Sequence, residues 1–313
     1  MTLQDLRYLV ALAEHGHFGR AAAACNISQP TLSTQIRKLE RFLGASLFER
    51  ASRTLRTTPV GAEIVGRARQ VIAEADAIVA LATRAGEPLS GPLALGVIPT
   101  LGPYLLAWLL PVLRERYPKL RLAVHEDLTA NVIERLTDYR LDTTLLALPV
   151  TARGLESLPL FDEPFWLAAP AGHPLARRDV VREEDLRGER LLLLAEGHCL
   201  RDQALAICGS ASVTREDVPD LSAASLETVR QMAAIGFGCT LLPAMAVGDR
   251  REPGLKVRPL ADAPGRRIGL VWRRGYPGAR DLHLLAELIV SHLPPSVRPV
   301  GRAARRPGGR RAA

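Results

Sequence analysis

Apolar residues recur at helical spacing from the first positions. Leu3, Leu6, Leu9, Val10 and Leu12–Ala13 fall on one face of a predicted helix. "HFGRAAAAC" then reads as a short, alanine-rich helix, and "NIS" breaks the pattern. Ser28 suits an N-cap and Pro30 the first turn of a further helix, "QPTLSTQIRKLERFLG". Leu32, Ile36, Leu39 and Leu43 form its buried face, and Gly44 suits its C-terminal cap. Gln29, Thr31, Ser33, Thr34 and Arg37 are left on or near the other face. A short helix, a tight turn and a polar-faced second helix make a helix-turn-helix, whose second helix presents its N-terminal residues to the major groove.

The pattern changes twice more. "SLFERASRTLRTTPVG" holds short β-prone pieces with Arg50, Arg53 and Arg56 beside them, as a wing would. Thr58-Pro59 is a second helix start. Beyond it Ile64, Val65, Ala68, Val71, Ile72, Ala75, Ile78 and Val79 form an apolar stripe of about three heptads. That stripe needs a partner, either a twin helix or the chain's own body. "GEPLSGP" reads as a hinge. From residue 92 strands and helices alternate: "LALGVIP", "LRLAVHE", "TTLLALP", "PFWLAAP" and "RLLLLAE" as strands, "LLAWLLPVLRERYP" and "NVIERLTDYRLD" as helices. This βαβ rhythm predicts open α/β sheets.

Composition narrows the function. A chain of 313 residues with 47% hydrophobic and 24% charged residues is ordinary for a soluble protein of two or three domains. No apolar run approaches the roughly 20 residues of a membrane span, and "MTLQDLRYLV" lacks the pattern of a signal peptide. The expected location is the cytoplasm, where four cysteines are expected to be reduced. The net charge of +8 is concentrated at the ends. Residues 1–58 carry eight Lys/Arg against four acids, and the tail "GRAARRPGGRRAA" adds five Arg and no acid, leaving residues 59–300 at −1. The tail reads most simply as a disordered, solubilising end. The basic head, with its helix-turn-helix and wing, reads as a binder of double-stranded DNA. Its candidate contacts are Gln29, Pro30, Thr31, Ser33, Thr34 and Arg37, with Arg50 and Arg53 on phosphates.

"FGRAAAACNISQPTLSTQIRKLERFLGASLFER" followed by "LRTTPVG" resembles the DNA-binding head of LysR-type transcriptional regulators. The resemblance implies an all-α winged helix-turn-helix over residues 1–58, a linker and dimerisation helix over 59–86 and a hinge over 87–91. It implies an α/β, two-lobed, periplasmic-binding-protein-like effector domain over 92–300, whose second lobe spans about 164–264. Residues 301–313 remain as the basic tail. "LDTTLLALP" and "GFGCTLLPAMAV" carry that part of the resemblance. Ligands of such sheets lie at strand ends in the crevice between lobes, where Thr100 and Thr129 are expected.

"EGHCLRDQALAIC" places Cys199 and Cys208 nine positions apart. On one continuous helix that is a rise of about 13.5 Å, and a disulfide needs Cα atoms within about 7 Å. The two can bond only if the segment unwinds. Cys199 falls at the predicted helix start beside His198 and Arg201, a setting that can favour a thiolate. Cys208, among Ala and Ile, reads as a buried thiol. Plain core packing of both cysteines, or a zinc site of His198, Cys199, Cys208 and Cys239, are the alternatives on residues alone.

"LLLLAEGHCLRDQALAIC" and "SLETVRQMAAIGFGCTLLPAMAV" resemble the sensing region of the peroxide-responsive members of the LysR family. The resemblance implies Cys199 as peroxidatic thiol and Cys208 as resolving thiol, joined reversibly as a disulfide. It implies Thr100, Thr129, His198 and Arg201 as neighbours that orient peroxide or stabilise the thiolate, with Asp202 structural. The implied function is a regulator, and not an enzyme, that activates antioxidant genes in response to hydrogen peroxide. It needs no cofactor and no metal. Its partners are operator DNA, a second copy or a tetramer, RNA polymerase and a cellular thiol reductant, but no membrane. Asp220-Leu221 depart from the His-Phe often found there, and Cys25 and Cys239 gain no role. Two other functions remain open at this point: a LysR-type regulator that answers to a small organic acid, and a thiol peroxidase.

Overall fold

The computed structural model describes residues 1–51, 54–83, 87–208, 225–248 and 252–301. Residue contacts divide the chain into two compact units, Met1–Pro88 with Arg135–Leu141, and Leu89–Glu134 with Asp142–Ala313.

The first unit is built by local signals that agree with one another. Helix α1 (Leu3–His15) starts with a capping box, in which the Thr2 hydroxyl accepts from the Asp5 N–H and the Asp5 carboxylate accepts from the Thr2 N–H. It stops at Gly16 in the left-handed region. Helix α2 (Phe18–Ala24) is capped by His17, whose Nδ1 accepts from the N–H groups of Gly19 and Arg20. Helix α3 (Gln29–Leu43) begins at the Ser28 cap with proline in its first turn and ends at Gly44, also left-handed. Leu6, Leu9, Leu12, Leu32, Ile36 and Leu39 pack into one core with Ala21 and Ala22. Strands β1 (Phe48–Ala51) and β2 (Thr54–Thr57) form an antiparallel hairpin.

Helix α4 (Pro59–Thr83) divides its apolar stripe. Val65 and Ala68 are buried in the core of the head, and Ile64 and Ile72 pack against it. The first part of the stripe therefore meets the chain's own body. Val71, beside Ile72 but on the outer side, and Ile78 and Val79 farther along are exposed, Ile78 by 69%. The Arg7–Asp76 ion pair, 2.8 Å, ties α1 to α4.

The second unit holds two sheets joined by one long strand. Strands β3 (Gly91–Val97), β4 (Leu120–Glu126) and β5 (Thr143–Leu148) are parallel, with helices α5 (Gly102–Arg116) and α6 (Thr129–Thr137) between them. Strand β6 (Leu155–Pro170) runs through both sheets. Two 3-10 turns follow, Pro174–Arg177 and Glu183–Leu186. Helices α7 (Cys199–Cys208) and α8 (Leu226–Ala234), strand β7 (Thr240–Pro243), the short helix α9 (Ala244–Val247) and strand β8 (Leu255–Pro259) complete the second lobe. Strand β9 (Gly265–Arg273) returns to the first lobe, where α10 (Ala279–Ser291) and β10 (Arg298–Pro299) close the fold. The first sheet has the order β10-β6-β9-β5-β3-β4, while β7 and β8 pair with the second half of β6. The sheet is mixed, because β9 inserts antiparallel between β5 and β6.

The two crossing strands meet at Pro164 and Gly265, which are register partners. A side chain at Gly265 would collide with the Glu163 carbonyl, so glycine is needed there for the strands to approach. Strand assignments from the sequence need two corrections. "PFWLAAP" is the second half of a 16-residue strand and not a separate element. "RLLLLAE" forms no strand: Leu191 and Leu194 are isolated bridge residues, Leu191 opposite Cys239, and its leucines pack into the second core.

Candidate DNA face and sensing pocket

On α3, Gln29, Pro30, Thr31, Thr34 and Arg37 are exposed and Ser33 is half-buried. Their polar groups are already arranged by short-range bonds. The Thr31 hydroxyl lies 2.7 Å from the Ser28 hydroxyl, Thr34 Oγ1 donates to the Pro30 carbonyl, and Arg37 donates to Ser33 Oγ at 3.0 Å. Arg37 and Gln29 therefore lead the outward-facing polar surface of the helix. Arg56 is exposed on β2 and Arg50 lies on β1. Arg53 lies outside the described residues, as do the side chains of Arg50 and Cys208.

The candidate sensing residues lie on three chain segments. The first is the loop after β3, which carries Thr100. Thr100 is buried, and Arg266 holds it from two directions: Nη1 donates to Thr100 Oγ1 at 2.6 Å and Nη2 to the Thr100 carbonyl at 3.0 Å. Arg266 Nε also donates to Glu163 at 2.9 Å, and neither side chain of the pair is exposed at all. The second carboxylate oxygen of Glu163 accepts from the N–H of Met245 in α9. One buried network thus joins the first-lobe loop, both crossing strands and the second lobe. Because the Thr100 oxygen already accepts from Arg266, its own proton is left to donate elsewhere.

The second segment is the start of α6. Thr129 is half-buried, and its hydroxyl oxygen is buried without a hydrogen-bond partner. The third is the approach to α7. Gly197 has φ +90, and a side chain there would lie 2.9 Å from Leu128 Cδ1. Glycine therefore lets the "EGHC" loop close against the residue before Thr129. His198 is buried and Cys199 is half-buried, with a free thiol. The Arg201 guanidinium donates to the Leu194 carbonyl at 3.0 Å, so it also ties the loop to its own preceding chain. Asp202 lies exposed in the first turn of α7. Cys199 and Cys208 are the first and last residues of α7, which holds them apart along its axis.

The other thiols differ. Cys239 is buried, and desolvation together with the nearby Glu189 carboxylate pushes its thiol up to about 12. Burial also raises the Cys25 thiol, at the C-terminal cap of α2. A raised thiol is a poor nucleophile near neutral pH. Among the described residues no cluster of three or more His, Cys, Asp or Glu side chains is placed to hold a metal, and the side chain of Cys208, which the zinc alternative needs, lies outside them.

Sequence reasoning missed Arg266, Glu163 and Gln203. The first two are 103 positions apart and meet only through strand pairing. Gln203 lies one turn beyond Cys199 on the same face of α7, with its side-chain oxygen buried and unpartnered. Its (i, i+4) spacing from Cys199 was the available signal.

Residues 3–62 match the family described as "Bacterial regulatory helix-turn-helix protein, lysR family", and residues 86–294 match "LysR substrate binding domain". The chain belongs to the LysR family. Within it, the chain is 47% identical to the "DNA-binding transcriptional dual regulator OxyR" of Escherichia coli K12 over 92% of this chain and 95% of that protein. Among solved structures it is similar to full-length OxyR of Pseudomonas aeruginosa in a cysteine-to-aspartate form, with a TM-score of 0.78 and 40% identity over 92% of this chain and 94% of the other. It is also similar to a cysteine-to-serine OxyR mutant of Corynebacterium glutamicum with hydrogen peroxide bound, with a TM-score of 0.64 and 36% identity over 93% and 92%. The architecture of a LysR head followed by a two-lobed regulatory domain is thus shared with OxyR proteins. Among the described residues, no helix is long and apolar enough to cross a membrane.

Proposed function

We propose that this LysR-family chain is a DNA-binding transcriptional activator, not an enzyme, that senses hydrogen peroxide through Cys199. The observation that carries the reading is a half-buried free thiol at the first turn of α7, in a loop packed beside Thr129. The thiolate of Cys199 attacks one peroxide oxygen, the O–O bond breaks, and sulfenic acid forms with loss of hydroxide, which leaves as water once protonated. Thr100, whose oxygen is engaged by Arg266, donates its proton toward the departing oxygen, and Thr129 helps to orient the peroxide. His198 and Arg201 stabilise the thiolate and hold the loop. The Cys208 thiol then attacks the sulfenic sulfur, forming a disulfide and releasing a second water. This requires α7 to unwind, since its helical span exceeds disulfide reach.

The head binds operator DNA as a winged helix-turn-helix. Gln29, Pro30, Thr31, Ser33, Thr34 and Arg37 meet the major groove, and the β1–β2 hairpin carries Arg50 and Arg53 to phosphates. Residues 59–86 act as the linker and pair with a second copy through Val71, Ile78 and Val79. RNA polymerase and a thiol reductant are the further partners in the cytoplasm, and the tail from 301 adds non-specific charge. A non-reducing mass map before and after stoichiometric peroxide tests the reading. A Cys199–Cys208 linkage is expected, with Cys25 and Cys239 unmodified. Unaltered thiols, together with a DNA response to an organic acid, would transfer the site to the metabolite-sensing reading.

A further inference from the structure

Side chains alternate across a strand, so residues 162 and 163 of β6 face opposite sides of the sheet, as do residues 266 and 267 of β9. Glu163 and Arg266 turn toward Thr100. Asp162 and Arg267 therefore turn away from it, where they form a two-pronged ion pair of 2.7 and 3.0 Å. Asp162 and Arg267 line a cavity of about 690 Å³ at the crossing strands. Pro149, Ser157, Asp162, Arg267, Asp262 and Arg298 are among its walls. Neither Thr100 nor Thr129 lines it, although Glu163 and Arg266, which hold Thr100, do contribute to its wall.

Its charges are of both signs, and they are not all used. Asp162 and Arg267 neutralise each other. Arg298 lies across from Asp162 on β10, in register. Neither Arg298 nor Asp262 has an ion-pair partner among the described residues. One free guanidinium and one free carboxylate thus open on the same space. A simple anion would satisfy Arg298 and leave Asp262 facing a like charge, and a simple cation would do the reverse. A molecule carrying both charges satisfies both. The volume falls within the range of small-molecule sites. Asp262 lies on the loop by which the chain returns from the second lobe, with a left-handed φ of 59.

We propose that this cavity at the crossing strands is a second binding site, for a zwitterion of the amino-acid or short-peptide class. Arg298 takes its carboxylate and Asp262 its ammonium, while the Asp162–Arg267 pair forms the polar wall between them. Because the site is built on the strands that join the lobes, its occupancy stabilises one arrangement of those strands.

The test uses the full-length reduced protein. Each standard L-amino acid and its glycyl dipeptide is added singly at millimolar concentration, and thermal unfolding is followed, with calorimetry for any compound that raises Tm. At least one such compound is expected to bind. Its N-acetylated form and its C-terminal amide are each expected to bind about tenfold more weakly or worse, and so are Arg298→Ala and Asp262→Ala proteins. Both positions are exposed, so these variants are expected to fold, and an unchanged Tm without ligand checks this. The proposal is overturned if no compound shifts Tm, if the N-acetylated form binds as well as the parent, or if binding survives both substitutions. None of these readouts depends on peroxide chemistry at Cys199.

Discussion

Arg266 is bonded to Thr100 on one side and paired with Glu163 on the other, with no exposure of either charged side chain. Removing one member of such a pair leaves an uncompensated buried charge, which costs about 3–5 kcal/mol. Glu163→Ala is therefore expected to lower unfolding stability by that amount, read from urea titration. Glu163→Ala combined with Arg266→Met is expected to recover much of the loss, because no lone charge remains. If the single change is silent, the pair does not bear on stability. The thiols follow a different order, set by role. Cys199→Ser is expected to abolish the peroxide response while DNA binding persists. Cys208→Ser is expected to halt at sulfenic acid or a mixed disulfide at Cys199, seen by mass spectrometry as added oxygen or adduct. His198→Ala and Arg201→Ala are expected to slow oxidation without preventing it, each removing only part of the support. Cys239, buried and with its thiol pushed up to about 12, is expected to resist iodoacetamide near neutral pH while Cys199 is alkylated.

Helix α4 carries the prediction at the scale of elements. Its early apolar positions are consumed by the head's own core, and its later ones are exposed. Val71→Asp with Ile78→Asp is expected to break the oligomer while leaving the head folded, because neither residue is buried in it. Sedimentation that still shows the oligomer would assign the pairing to another surface. This helix also shows what a sequence pattern can tell. The stripe was legible because its period is local, but which of its positions stay exposed depends on packing against α1, which lies far away in the chain. Helix α3 was legible throughout, since Ser28, Pro30 and Gly44 mark its ends and its face is periodic. Strand β6 was half legible. Pro159 and Pro164 interrupt its pattern, and a register shift falls between Pro159 and Phe161, so only the part after Pro164 looked like a strand. "RLLLLAE" carries the right composition for a strand yet forms only isolated bridges among the described residues. It is bonded to Cys239 and Thr240 at the start of β7 without extending that pairing, and its leucines are buried in the second core. The cysteine segment stood out by spacing and setting, whereas Arg266 and Glu163 came together only through long-range pairing of β6 with β9.

At the scale of the whole molecule, charge is concentrated where DNA contact is proposed. The head carries a surplus of four positive charges and residues 59–300 sum to −1. Association with DNA should then depend on salt chiefly through the head, with the tail as a second contributor. Each phosphate contact that is lost reduces the slope of log affinity against log salt by about 0.9 on duplex DNA. Arg53→Ala, which removes one proposed contact per protomer, is expected to flatten the slope by about twice that in a dimer and to weaken operator and random DNA alike. Arg37→Ala is expected to behave differently. It removes a residue proposed to meet base edges, so it should lower operator affinity more than random-sequence affinity and narrow the specificity ratio. Fluorescence anisotropy at several salt concentrations, on operator and random duplexes, separates the two. If Arg53→Ala leaves the slope unchanged, the hairpin does not grip the backbone and the surplus charge of the head acts through α3 and the tail. If Arg37→Ala weakens both duplexes equally, α3 is positioned on phosphates and sequence is read elsewhere.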